Sequence, residues 1–177
     1  MRDKLILPTC TSCDGELFFT ARYSKKQNGV LMKPGERYCI AGKKARKFSK
    51  SDPKKYPPAW CPKRKSPCEV RVYGFKSDLD WMLHERLCKD LGKELLPEPY
   101  RYKVEQEFTA DLTPKQFWDR VEEEPLSSIL PVSVLTHWVV EIDDGIKPAF
   151  FYKTSNGFAI AWCFNPDAAR KSDSKSK

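Results

Sequence analysis

The chain is 177 residues long with a formal charge of +8; 40% of it is hydrophobic and 32% charged, enough apolar mass for a packed core at a length suited to one domain or two small ones. A mean hydropathy of −0.62, with no apolar run approaching the about 18 residues of a membrane span, excludes a bilayer-crossing helix. Leu5-Ile6-Leu7 before Pro8 is too short for a secretory core, so the expectation is a soluble, cytoplasmic protein with no membrane partner.

The charge is unevenly divided. Residues 1–76 carry 19 Lys/Arg against 6 Asp/Glu, net +13, whereas residues 77–177 carry 13 against 18, net −5. The reversal predicts a basic module over 1–76 and an acidic one over 77–167. Residues 168–177, ending Ser-Asp-Ser-Lys-Ser-Lys, read as a disordered tail.

Cysteines dominate the first module. Of the seven, Cys10, Cys13, Cys39, Cys61 and Cys68 fall in the first 68 residues. Without an export signal, such clustering points to metal ligands rather than disulfides. Cys10-Thr-Ser-Cys13-Asp-Gly15 has the form of a zinc knuckle: two thiolates three apart grip one Zn²⁺ from a tight turn, and Gly15 relieves the turn. A redox Cys-x-x-Cys opens a helix after a strand, but Glu16–Tyr23 reads as a strand. Tyr38-Cys39-Ile-Ala-Gly42 resembles half a second knuckle, Pro57-Pro58-Ala-Trp60-Cys61-Pro62 fixes a thiol between prolines, and Cys68 enters the strand 69–75. A tetrahedral site needs two of these three thiols. Cys10, Cys13, Cys39 and Cys61 are the preferred set, with Cys68 as the alternate for Cys39. A closed Cys₄ site has no open position, so its Zn²⁺ would be structural.

The order Cys-x-x-Cys, Tyr-Cys, Pro-x-x-Trp-Cys-Pro resembles that of small zinc-ribbon-type proteins carried by bacterial phages and mobile elements. The resemblance covers about residues 10–62. It implies thiolate ligands at Cys10, Cys13, Cys39 and Cys61 and a mobile-element origin, and it says little about the second half.

The densest basic stretch includes Lys43, Lys44, Arg46 and Lys47, then Lys63, Arg64 and Lys65, interleaved with aromatics that include Tyr56 and Trp60. Such a surface attracts polyanions through counterion release, the cations neutralising phosphates and the aromatic rings stacking on bases. DNA or RNA is the expected partner.

In the second half, Ser77-Asp-Leu-Asp80 predicts a helix to Leu91 with Gly92 just beyond it. Leu79, Met82, Leu83, Leu87 and Leu91 form its apolar stripe, which should face a core. Trp81, His84 and Cys88 share a neighbouring face, a trio read as packing. Tyr100–Phe108 predicts a strand, and Thr113-Pro-Lys-Gln116 a second helix start. The end predicts a meander: Val132–Ile142, a turn at Asp144-Gly145, Ile146–Lys153 with Pro148 marking an edge or bulge, a turn at Asn156-Gly157, and Phe158–Phe164 with Cys163 buried in it.

No Walker A, dinucleotide glycine motif, nucleophile elbow or His-Glu-x-x-His occurs, and a Cys163–His137 dyad is the weakest reading. The expectation is an α+β protein: a zinc-ribbon-like β module followed by a small antiparallel sheet packed with two helices. Its expected function is non-catalytic, zinc-stabilised nucleic-acid binding. The alternative is an adaptor or inhibitor that docks a host protein on the edge of the meander.

Overall fold

The structure, a computed structural model, describes Leu5 and residues 17–19 (backbone only), 24–52 and 57–170. Cys10, Cys13, Tyr56 and residues 171–177 lie outside the described residues. The chain forms two compact units, Ile6–Arg64 and Met1–Leu5 with Lys65–Lys177. The boundary expected at 76/77 therefore falls at 64/65, because the strand beginning at Cys68 pairs on both sides within the second unit. Redrawn there, the first unit carries 14 Lys/Arg against 4 Asp/Glu, net +10, and the remainder 18 against 20, net −2. The charge asymmetry survives the correction.

The first unit is all β where described. Strands β1 (Leu17–Phe19), β4 (Arg37–Cys39) and β5 (Arg46–Lys47) form an antiparallel sheet in the order β1-β4-β5. Strands β2 (Lys25–Gln27) and β3 (Val30–Met32) form a hairpin. Its turn is Asn28-Gly29, with φ of 47° and 75°. That left-handed pair suits the two-residue turn whose twist matches a hairpin, and Asn-Gly is its favoured sequence. Met32, Tyr38 and Ala45 make a small core.

The second unit is an α+β fold on a five-stranded antiparallel sheet of order β10-β9-β8-β6-β7. Its strands are β6 (Cys68–Phe75), β7 (Tyr102–Ala110), β8 (Val139–Asp143), β9 (Ala149–Thr154) and β10 (Gly157–Ile160). Alternation along the pleat sends Val70, Val72, Val140, Ile142 and Phe151 to one core, where α2 (Pro114–Arg120) adds Phe117 and Trp118 and α3 (Leu126–Ile129) adds Ile129. The intervening Tyr73, Phe75, Val139 and Tyr152 enter a second core, with Tyr102, Phe164 and Ala169. Burial on both faces explains why β6 and β8 read as almost continuous apolar runs.

Helix α1 (Asp78–Leu91) is capped as the sequence predicts: Ser77 Oγ accepts from the Asp80 amide, and Gly92 takes the left-handed conformation at φ 61°. The side it buries is different from the expected one. Leu79, Met82, Leu83, Leu87 and Leu91 are exposed, and His84 is the buried residue of the helix. The predicted stripe is real in spacing but does not face the core.

Other expectations shift too. Helix α2 carries the full capping box between Thr113 and Gln116. The long strand expected from Val132 is confined to β8, residues 132–138 being a loop. Pro148 precedes β9, which is interior to the sheet rather than an edge. Cys163 is exposed, past the end of β10. Residues 168–170, expected to open the tail, belong to helix α4 (Pro166–Arg170), whose Ala169 is fully buried.

Candidate metal centre

The sequence holds two histidines, and the fold brings them together. His84 and Cys88 stand one turn apart on α1, the i,i+4 spacing that stacks two side chains on one helix face. His137 comes from the turn preceding β8, where its backbone has φ 68°. This left-handed conformation is uncommon for a residue with a Cβ. Hydrogen bonds over-determine it: the His137 amide donates to the Lys153 carbonyl at 2.6 Å, and the His137 carbonyl accepts from Tyr102 Oη at 2.8 Å. Held so, the ring meets α1, and one ligand atom from each of His84, Cys88 and His137 lies within 4.8 Å of the others. The group is close enough to hold a metal ion.

Tyr152 on β9 completes the cluster. Its Oη lies 2.8 Å from His84 Nε2 and 2.7 Å from His137 Nδ1, and the imidazole centroids are 5.0 Å apart, edge to face. Burial pushes both histidines below their ordinary pKa, His84 further depressed by His137. Burial also raises the Tyr152 phenol well above its ordinary value. Neutral imidazoles are the form that binds metal. Glu94 Oε2 stands 3.5 Å from His137 Nδ1, while its other oxygen accepts from the Ser155 amide and hydroxyl at 3.1 and 2.9 Å. A carboxylate beside a histidine is the usual outer support of a metal ligand.

The cluster opens on a groove of about 620 Å³ lined by Trp81, Glu85, Cys88, Glu94, His137 and Asn156 among others. Zinc–nitrogen and zinc–sulfur bonds of about 2.1 and 2.3 Å imply ligand separations near about 3.5 Å in a tetrahedron. The widest pair would close by about 1 Å to take the ion, within reach of side-chain rotation. Three protein donors leave one coordination position, and the groove lies beside it.

The thiols expected to bind metal are placed otherwise. Cys39 ends β4 and Cys61 sits in a turn closed by its amide on the Pro58 carbonyl at 3.0 Å; both are half-buried in the first unit. Cys68 lies in the core of the second unit with Val70 and Val72, its thiol directed at the Lys65 carbonyl. His137 meets Cys88 rather than Cys163. His84 and Cys88 were visible on one helical face; the missed members are His137, masked by its assignment to a strand, and Tyr152 and Glu94, which no motif marks. That the chain has only two histidines was the available signal.

Among the expected nucleic-acid contacts, Lys43, Lys44, Arg46, Lys47 and Lys63 are exposed. The Arg46 guanidinium lies 4.5 Å over the Trp60 ring, Phe48 packs edge-on against the same ring, and Trp60 Nε1 donates to Asp52 at 2.9 Å. Lys47 pairs with Glu36. Arg64 donates to the Pro57 carbonyl at 2.9 Å, bracing the Pro57–Arg64 turn. Lys65 belongs to the second unit, paired with Glu69 at 2.9 Å and Asp143 at 3.2 Å.

No family model, curated protein or solved structure matches the chain. No helix among the described residues is long and apolar enough to cross a membrane.

Proposed function

We propose that the protein is a zinc protein whose second unit holds the ion through His84, Cys88 and His137, with the fourth position facing the groove. One observation carries this reading: two elements separated by 45 intervening residues deliver three borderline-soft donors to one point, at the cost of a left-handed histidine backbone. Two neutral imidazoles and a thiolate suit Zn²⁺ in preference to calcium or magnesium, which take oxygen. An open position gives the ion room for a water or a ligand, as in zinc sites that do chemistry, with Glu94 and Glu85 as nearby carboxylates. Cobalt substitution tests it, because a thiolate bound to Co²⁺ gives an intense near-ultraviolet charge-transfer band. The band should appear in the wild type and vanish in Cys88→Ser, and metal content should fall by one ion per chain in both Cys88→Ser and His137→Ala. Unchanged metal content in both variants would overturn the assignment.

A second reading concerns the first unit, whose exposed Lys43, Lys44, Arg46 and Lys63 and net charge of +10 favour nucleic-acid binding. A structural zinc at Cys10, Cys13, Cys39 and Cys61 would hold that unit in shape. Arg46 already covers Trp60, so Arg46 meets phosphate while the indole braces it. Affinity for an oligonucleotide should fall steeply between about 50 and 200 mM salt, and Lys43→Glu with Lys44→Glu should reduce both affinity and salt slope. Absent or salt-insensitive binding refutes this reading. Loss of a second ion in Cys10→Ser, independent of Cys88→Ser, would separate the two metal sites.

A further inference from the structure

We propose that the exposed leucine row of α1 is a self-association surface, pairing antiparallel with α1 of a second copy of this chain. Leu79, Leu83, Leu87 and Leu91 are spaced four apart on one helix, with Met82 beside them, and their side chains are 43–64% exposed. Such exposure is ordinary for one apolar residue and unusual for five on a single face. The opposite side of the helix, carrying His84 and Cys88, is the one packed on the sheet, so the row has no cover within its own unit.

The row itself specifies its occupant. A two-fold interface needs a surface complementary to itself, and the four leucines are symmetric about position 85. Turned end over end, the row places Leu83 against the partner helix's position 87 and Leu79 against its position 91. An i±4 ridge of this kind interlocks with a second such ridge at a crossing of about 50°, so Leu83 and Leu87 occupy the centre and Leu79 and Leu91 the ends. Charge agrees with the same orientation. The first turn is acidic at Asp78 and Asp80 and the last carries Lys89, with Lys93 just beyond. An antiparallel pair sets the acidic end of one helix over the basic end of the other and opposes the two macrodipoles. The ion pairs Arg86–Asp90 and Glu85–Lys89 supply a polar rim of the sort that surrounds an apolar interface centre. The metal centre, on the other side of α1, stays accessible.

Sedimentation velocity on the full chain from low to high micromolar concentration tests this. The wild type should shift reversibly from monomer to dimer. Leu83→Glu should weaken the dimer at least about thirtyfold, the effect of a central interface residue, with unchanged circular dichroism because the side chain is exposed. Asp78→Lys should weaken it less, and adding Lys93→Asp should restore it. A wild type monomeric throughout, which would leave the row to a partner of different sequence, overturns the proposal. So does a dimer that Leu83→Glu leaves intact.

Discussion

Tyr152 Oη bridges the two histidines, 2.8 Å from His84 Nε2 and 2.7 Å from His137 Nδ1, so a phenol from the sheet ties a helix to a turn. A hydroxyl has one proton to donate. One ring therefore accepts from Tyr152 and the other donates to it, which fixes complementary tautomers on two neutral imidazoles. Tyr152→Phe leaves one nitrogen on each ring without its partner while keeping the aromatic packing with Tyr73 and Val139 in the same core. The expected loss is about 1–3 kcal/mol, read from urea denaturation of the metal-free protein; a loss below about 0.5 kcal/mol would mean that water satisfies both rings.

The same pair makes stability depend on pH. Burial holds both rings below the ordinary histidine value; Glu94, Glu98 and Glu85 oppose the shift, and Arg101 adds to it at His84. The unfolded chain titrates at about pH 6.5 and the native chain lower, so between those points the unfolded state holds more protons and stability rises with pH. It should be complete above about pH 7 and fall as the pH drops below about 6.5, by at most about 2.7 kcal/mol per pH unit for two groups. Glu36, Asp52, Glu69 and Glu124 are held below the usual carboxylate value and act at lower pH. Denaturation of the metal-free protein at pH 8, 6.5 and 5.5 checks the slope, which should flatten in His137→Gln. An identical profile in that variant would count against the buried pair.

Local signals were legible in the sequence where the chemistry is local. Ser77 and Gly92 bound α1, Thr113 and Gln116 cap α2, and Asn156-Gly157 opens β10. Long-range partners were not. Spacing showed that Leu79 and Leu83 share a face with each other and His84 a face with Cys88, but periodicity alone cannot say which face meets the sheet. The apolar one was the natural choice, and the polar one is buried. His137 was lost because a β-branched neighbourhood favours a strand, whereas its left-handed backbone depends on Lys153 and Tyr102, both distant in sequence. Cys68 was taken as a ligand because thiol clustering along the chain ignores which unit a strand joins.

Gly74 on β6 is a packing requirement rather than a turn. A Cβ there would stand 2.7 Å from Glu105 Cγ and 2.9 Å from Trp138 Cε2. Glu105 can swing away, but the indole beside it cannot without disturbing the loop that carries His137. Gly74→Ala should destabilise by about 1–3 kcal/mol as an overpacking change. Trp138→Leu costs stability on its own, yet combined with Gly74→Ala the total should be less than the sum, because the smaller side chain admits the methyl group. Strict additivity in that double-mutant cycle would place the strain elsewhere.

Glu141 is buried on β8, where it accepts from Tyr73 Oη, from Arg170 at 2.8 Å and from Arg71 at 3.3 Å. Burial and the adjacent carboxylate hold the Tyr73 phenol well above its ordinary value, so it remains a donor at any working pH. The carboxylate thus has a neutral donor and two cations, one contributed by the last residue of α4. Arg170→Ala removes that cation but leaves Arg71 in place, and Arg170 is itself partly exposed, which limits the expected cost to about 1–2 kcal/mol. Truncation after Asp167 also removes the buried Ala169 and should cost more than Arg170→Ala alone. Glu141→Gln should lower the further cost of Arg170→Ala, since the amide no longer strands a charge when the guanidinium leaves. Urea denaturation of the four chains of this cycle gives the coupling directly, and a coupling of zero would reduce Arg170 to a surface residue.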